Sequence, residues 1–225
     1  MTVSLSCLGW DADFSIAYAW HHRADRLPAR VVRVDLGVCT VLSERGPLRA
    51  TISGPLLARA AADPVSLPCV GDWVAVQQWP DGRLTMEAVL PRRTMIGPAA
   101  TGRAVAANVD IVAVFGSDRG GRLLRLARRS GARPIVLKAE AARAAGVEVV
   151  APAQLCSPSS SFLVYGATLA LLGPAGSSKT ALIDRLAGAT VMRTTTPWSL
   201  TLLPGGAVVI DAPDIPSAAA FGAAG

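Results

Sequence analysis

The chain has 225 residues, 51% of them hydrophobic and 17% charged, with a formal net charge of +6 and a pI near 9.8. This balance excludes a disordered chain, which needs low hydrophobicity and high charge, and the length allows one large domain or two small ones. Only two of the 22 basic residues are lysines, Lys138 and Lys179; arginine cannot replace a lysine where a compact ammonium is required, so both are candidates for chemistry.

Residues 1–27 open without a basic segment or a continuous apolar stretch, so no signal peptide is read and a cytoplasmic location is expected. The run DADFSIAYAWHH fits a helix with an acidic first turn. It also fits a strand, through the alternation of Phe14, Ile16, Tyr18 and Trp20, and the two stay open. Residues 28–92 are β in texture. ARVVRVDLGVCTVL, SERGPLRATISG, VGDWVAVQQW and PDGRLTMEAVL are short strands separated by turn signals at Arg45–Gly46–Pro47 and Asp81–Gly82. Strands of this number and length predict a small antiparallel barrel of the oligonucleotide-binding (OB) type, or another small barrel used only for packing.

After Pro91 the pattern alternates. Strands are predicted at 109–115, 134–137, 147–150, 162–172 and 207–211, and a helix at 122–131 with Leu123, Leu124, Leu126 and Ala127 inside. This is an α/β domain with a parallel sheet, spanning 93–225. The longest apolar run, 162–172, is too short for a bilayer span of ~20 residues and reads as a buried strand, so no membrane partner is expected. Cys7, Cys39, Cys69 and Cys156 lack zinc-ligand spacing, and the histidines are His21 and His22. No zinc and no disulfides are expected, only buried thiols.

The chemistry is concentrated in TLALLGPAGSSKTALIDRLAG, a strand–loop–helix. Gly173-Pro174-Ala175-Gly176-Ser177-Ser178-Lys179-Thr180 nearly matches GxxxxGK[ST], in which backbone N–H groups at a helix N-terminus cradle phosphates. In that pattern the lysine reaches the β- and γ-phosphates and the Ser/Thr hydroxyl ligates Mg²⁺. Ser178 stands where the pattern has glycine. Downstream, LLPGGAVVIDAP is a turn and a buried strand ending in Asp211, an acid placed to hold Mg²⁺ beside the loop. RTTTPW between them offers Thr194, Thr195 or Thr196 as a further hydroxyl; taken alone, a threonine run more often marks a β-strand.

In their order these pieces resemble the ribosome small subunit-dependent GTPase A family, which is circularly permuted. The resemblance rests on LGWDADF, ARVVRVDLGVCTVL, VGDWVAV, VLPRRT, AANVDIVAVF, SGARPIVL, the phosphate loop, TTT and LPGGAVVIDAP, over residues 8–215. It implies an OB-like barrel followed by a P-loop GTPase-like domain, GTP/GDP and Mg²⁺ as ligands, slow GTP hydrolysis, and small ribosomal subunit RNA as partner of a monomeric protein. It also implies roles for individual residues. Lys179 and Asp211 would be catalytic. Residues Gly173 to Thr180 would bind the phosphates, with Thr180, Thr195 and Asp211 around Mg²⁺, and Lys138 and Glu140 would read the base. The chain departs from the family at Ser178, at Glu140 (Asp in the family) and at Asp214 (Gly in the family), and it ends before the family's zinc-binding domain. Three readings follow: a divergent GTPase, a catalytically degenerate descendant acting as an RNA- or protein-binding module, or a nucleotide-binding enzyme with changed base preference. Arg23, Arg26, Arg30 and Arg33, with Arg92, Arg93 and the arginines of 119–133, are the candidate phosphate contacts for RNA, or simply a solvated arginine surface. Of the barrel tryptophans Trp73 and Trp79, Trp73 is expected in the core.

Overall fold

The computed structural model describes residues 3–97, 103–115, 121–137, 146–157, 160–173, 179–188 and 199–212. The chain opens with a 3₁₀ turn, Leu5–Leu8, and helix α1, Ala12–Ala19. The ambiguity at 11–22 resolves to helix because Asp11 caps it, its carboxylate accepting from the amides of Asp13 and Phe14. Only Phe14 and Tyr18, one helical turn apart, are buried; Ile16 and Trp20 are exposed. Arg93 fixes the cap by pairing with Asp11 at 2.5 Å and Asp13 at 3.1 Å while stacking on Phe14. The Asp11 carboxyl is thereby held below its ordinary value, chiefly by the Arg93 hydrogen bond.

Five strands then close a barrel: β1 (Arg26–Val34), β2 (Val38–Ser43), β3 (Gly46–Ile52), β4 (Trp73–Gln78) and β5 (Leu84–Val89). Helix α2 (Gly54–Ala62) joins β3 to β4. Within the barrel β1 serves two partners, with Arg26 to Arg30 paired with β4 and Arg30 to Val34 with β2, across a bulge between Val31 and Arg33. A parallel β3–β5 pairing completes the ring. This is the OB-like barrel expected, and Leu56 of α2 plugs it against Val31, Val41, Val74, Val76 and Met86.

A two-stranded ribbon, β6 (Met95–Ile96) and β7 (Ala106–Ala107), leads to the α/β domain. Its elements are β8 (Ile111–Phe115), α3 (Arg122–Arg129), β9 (Arg133–Leu137), β10 (Glu148–Val150), α4 (Pro152–Leu155), β11 (Thr168–Leu172), α5 (Lys179–Ala187), β12 (Ser199–Leu202) and β13 (Val208–Ala212). The order β10-β9-β8-β11-β13-β12 is parallel except for β12. β12 pairs with β1 through Arg33 and Ser199, so the barrel and the α/β sheet form one 11-stranded sheet.

The predicted strand at 162–172 is half correct, since β11 begins only at Thr168. Gly166 adopts φ +78°, left-handed backbone that interrupts a strand, and Val164 and Tyr165 are exposed. Cys7, Cys39 and Cys69 are buried thiols as expected, whereas Cys156 is only partly covered. Burial pushes Cys39 up to about 12 and Cys69 well above its ordinary value, so neither forms a thiolate near neutrality.

The arginines depart most from expectation. Arg30 is 1% exposed. It donates from Nε to the Gly71 carbonyl at 3.2 Å, from Nη1 to the Leu8 carbonyl and to Thr168 Oγ1, and from Nη2 to the Asn108 carbonyl at 2.9 Å. Four segments, namely the N-terminal turn, the barrel, the lead-in to β8 and the start of β11, thus meet on one guanidinium. Arg92 is also internal, bidentate to the fully buried Asp72 at 2.7 Å, which also accepts from the Cys69 amide at 2.8 Å. Arg26 donates to Gln77 and Arg33 pairs with Asp35. Of the barrel-entrance arginines, Arg30 is therefore no candidate for RNA, nor is Arg92 beyond the barrel, because both are consumed by packing. Gly71 is required at this junction: its φ is +90°, and a Cβ there would lie 2.2 Å from the Ala107 carbonyl oxygen.

Replacing Arg30 by Ala leaves several buried acceptors unpaired, at about 1–3 kcal/mol each. We expect Arg30→Ala to lower the unfolding free energy by about 3 kcal/mol or more in urea, with little recovery in Arg30→Lys, which lacks the planar fork. A loss below about 1 kcal/mol would contradict this role for the residue.

Candidate phosphate-binding site

The parallel strands present their C-terminal ends at one edge of the sheet, where ligands of open α/β folds bind. β11 ends at Leu172, paired with Val114 of β8 and Ala212 of β13, and β9 ends at Leu137, paired with Phe115. Gly173 follows β11 and is buried. Residues Pro174, Ala175, Gly176, Ser177 and Ser178 lie outside the described residues, as do Lys138, Glu140, Thr194, Thr195, Thr196 and Asp214. The structure thus brings together Gly173, Lys179, Thr180 and Asp211 of the predicted site.

Helix α5 carries Leu182, Ile183, Leu186 and Ala187 on one stripe, at the spacing that faces a core, and these residues pack on Leu169, Leu171 and Val209 of the sheet. Lys179 is the first member of the same stripe. It is only 6% exposed. Its ammonium reaches the carbonyl of Gly173 and that of Ala212 at 3.1 Å, at the ends of two adjacent parallel strands. The ammonium is thereby held at the C-terminal ends of β11 and β13, beside the first turn of α5. Thr180, next on the helix, is exposed at its first turn, where the helix dipole also favours anions.

Asp211 lies two residues after Val209 and so points to the face that α5 covers. It is aligned with Leu171 on one side and Ser199 on the other. Its Oδ1 is buried without a hydrogen-bond partner among the described residues. A buried carboxylate oxygen left unpaired is expensive and points to a missing cation or donor. An ammonium for phosphate, a hydroxyl and a carboxylate oxygen for a hard divalent cation are the donor set that Mg²⁺ with phosphate requires, so the residues present fit that group.

The Ala212 carbonyl was not foreseen from the sequence, because a backbone acceptor leaves no side-chain signature. The helical spacing of Lys179 with Leu182 and Ile183 was readable, and it marks the lysine as buried. A cavity of about 320 Å³ lies at the opposite edge, beside Thr168 at the start of β11, with Arg30, Trp73 and Asn108 in its wall. It belongs to the barrel junction and not to the phosphate edge.

No protein-family model matches the chain. Solved structures share its fold. YjeQ from Thermotoga maritima superposes with a TM-score of 0.61 at 20% identity, over 84% of this chain and 75% of that one. YloQ, described as a circularly permuted GTPase, superposes with a TM-score of 0.55 at 17% identity, over 88% and 74%. In fold, the chain is a circularly permuted P-loop GTPase-like domain preceded by an OB-like barrel, with β8, β9 and β10 placed before the phosphate-loop strand. In sequence it is 37% identical to the small ribosomal subunit biogenesis GTPase RsgA of Opitutus terrae, over 95% of this chain and 72% of that protein. It is 34% identical to the RsgA of Streptomyces coelicolor, over 98% and 71%. The chain belongs to the small ribosomal subunit biogenesis GTPase RsgA family.

If Lys179 is placed for a ligand rather than for stability, Lys179→Met should leave the unfolding midpoint of the ligand-free protein unchanged or higher, since methionine fits the apolar stripe. A destabilisation above about 2 kcal/mol would show instead that the ammonium is a structural fastener.

Proposed function

We propose that this chain binds GTP and GDP with Mg²⁺ at the C-terminal edge of its α/β sheet and hydrolyses GTP slowly, in the service of small ribosomal subunit assembly. The observation that carries the reading is the placement of a buried lysine at the head of α5 on the end of β13, the strand that carries Asp211, whose buried Oδ1 has no hydrogen-bond partner among the described residues. In this reading Lys179 neutralises the β- and γ-phosphates, and the backbone from Gly173 to Ser178 wraps them. Thr180, Thr195 and Asp211 hold Mg²⁺, while Lys138 and Glu140 contact the base. Held by these residues, Mg²⁺ would supply positive charge beside the phosphates. The chain's own contribution is positioning and electrostatics, which dominate phosphoryl transfer. The division into residues 1–27, 28–92 and 93–225, a cytoplasmic setting, a monomeric state and contact with ribosomal RNA belong to the same reading. Among the described residues no helix is long and apolar enough to cross a membrane.

A second reading has its own support in the sequence. Ser178, Glu140 and Asp214 each replace the residue that the family pattern needs for phosphate or base, which favours a nucleotide-free descendant acting as an RNA- or protein-binding module.

Titration with fluorescent GTP, GDP and ATP, with and without Mg²⁺, separates the two. Guanine nucleotides should bind in preference to ATP. Lys179→Ala should weaken them by about 100-fold, near 2.7 kcal/mol. Asp211→Asn should remove the Mg²⁺ dependence, and Glu140→Asp should sharpen preference for guanine. Absence of any binding at ~1 mM nucleotide, weaker than about −4 kcal/mol, would overturn the proposal in favour of the second reading.

A further inference from the structure

Strand β12 consists of Ser199, Leu200, Thr201 and Leu202. Its side chains alternate between the two faces of the sheet. Leu200 is buried in the same core as Ile210 and Ala212, and Leu202 packs against that core. Ser199 and Thr201 therefore face the other way, toward the side where Val209 packs with α5. Asp211 shares that face. The antiparallel register sets Ser199 directly opposite Asp211 and Thr201 opposite Val209. Residues directly opposed in this way have Cβ atoms about 4.5–5.5 Å apart. A hydroxyl thus stands on the strand next to the carboxylate whose Oδ1 is buried without a hydrogen-bond partner among the described residues.

Asp211 has unlike neighbours on its two sides. On β11 it is aligned with Leu171, whose side chain offers no hydrogen bond. On β12 it is aligned with Ser199, half-buried, whose hydroxyl swings between staggered positions by rotation about a single bond. Thr201 supplies the contrast. It carries a hydroxyl on the same face of the same strand, but opposite Val209, with no carboxylate to serve. A carboxylate that ligates a metal is itself usually held by a hydrogen bond, and losing that partner typically weakens metal affinity about 10–100-fold.

We propose that Ser199 is a positioning residue for the metal site: its hydroxyl donates to the Asp211 carboxylate and fixes the orientation in which that group holds Mg²⁺. The inference rests on the nucleotide and Mg²⁺ reading above and adds to it a residue that lies outside the phosphate loop, the threonine run and the LPGGAVVIDAP motif. A carboxylate accepts at both of its oxygens, so a bond from Ser199 to one leaves the other for the cation. Ser199 acts through Asp211 and need not touch the ion. Nothing in the sequence around Ser199 marks it; only the β12–β13 register brings it to Asp211.

The test uses Mn²⁺, a paramagnetic cation that takes the same oxygen ligands as Mg²⁺. Its binding to the full chain with saturating GDP is measured by electron paramagnetic resonance for the parent, Ser199→Ala, Ser199→Thr and Thr201→Ala. Thermal unfolding of each ligand-free variant establishes that it is folded. We expect Ser199→Ala to weaken Mn²⁺ binding by about tenfold, with GDP affinity in the absence of divalent cations unchanged. Ser199→Thr keeps the hydroxyl and should stay within about twofold of the parent. Thr201→Ala should match the parent. Equal Mn²⁺ affinity in the parent and Ser199→Ala would overturn the inference while leaving the nucleotide reading intact. Equal losses in Ser199→Ala and Thr201→Ala, or in Ser199→Ala and Ser199→Thr, would overturn it too, because the effect would then belong to the strand and not to the Ser199 hydroxyl. If the parent binds no GDP, or binds it without retaining Mn²⁺, the nucleotide and Mg²⁺ reading fails and the inference with it.

Discussion

The arrangement depends on one buried guanidinium. Arg30 is the residue of β1 that pairs with both β4 and β2, so it stands where the barrel strand changes partner. From there its fork reaches Gly71, Leu8, Asn108 and Thr168. Burial lowers its pKa to about 10, with the charges of Asp110 and Asp72 acting the other way, so it keeps its proton at neutral pH. A buried cation without its partners is costly. The four segments are therefore held in a single relative placement, because displacing any one strands some of the charge. Trp73 lies against the guanidinium and is surrounded by Trp10 and Phe14, so apolar burial and the polar fork reinforce the same junction.

This junction sits at the N-terminal edge of the parallel strands, and the phosphate edge lies at their other end. Thr168 starts β11 and contacts Arg30; Gly173 follows the same strand and accepts from Lys179. One five-residue strand thus runs from the clasp that orients the barrel to the candidate nucleotide site. β12 supplies a second route, pairing on one side with β13, which carries Asp211, and on the other with β1. The junction end carries the hydrogen-bonded Arg30 fork, whereas the other end carries a buried ammonium and a carboxylate oxygen that has no hydrogen-bond partner among the described residues. Function of this kind is usually maintained at some cost in stability.

The fold was legible wherever a local pattern is decided by one core. Alternation and turn signals gave the barrel strands, continuous apolar runs gave β8, β9, β11 and β13, and Leu123 with Ala127 gave α3. It was less legible where backbone conformation decides: Gly166 ends a run that composition alone reads as one strand through to 172. Asp11 settled the helix at 12–19 through a cap, a single residue against four alternating apolar ones. The arginines were misread because charge in a sequence carries no information on burial. Arg30 and Arg92 look like Arg23, and only the three-dimensional meeting of Asp72, Asn108 and Thr168 distinguishes them. In the candidate site, Lys179, Thr180 and Asp211 were readable because loop and strand motifs fix their spacing, whereas the base-reading Lys138 and Glu140 fall outside the described residues.

Native-state hydrogen exchange tests most directly whether Arg30 unites the barrel and the α/β domain in a single cooperative body. The amides of Val31 and Leu90 report on the barrel, bonded to Asp72 and Trp73; those of Asp110 and Val208 report on the α/β domain, bonded to Thr168 and Ala167. With the guanidinium as the common clasp, all four should open with the same free energy, within about 1 kcal/mol, and with the same denaturant dependence. Barrel amides that open several kcal/mol more easily, and independently of Val208, would contradict it.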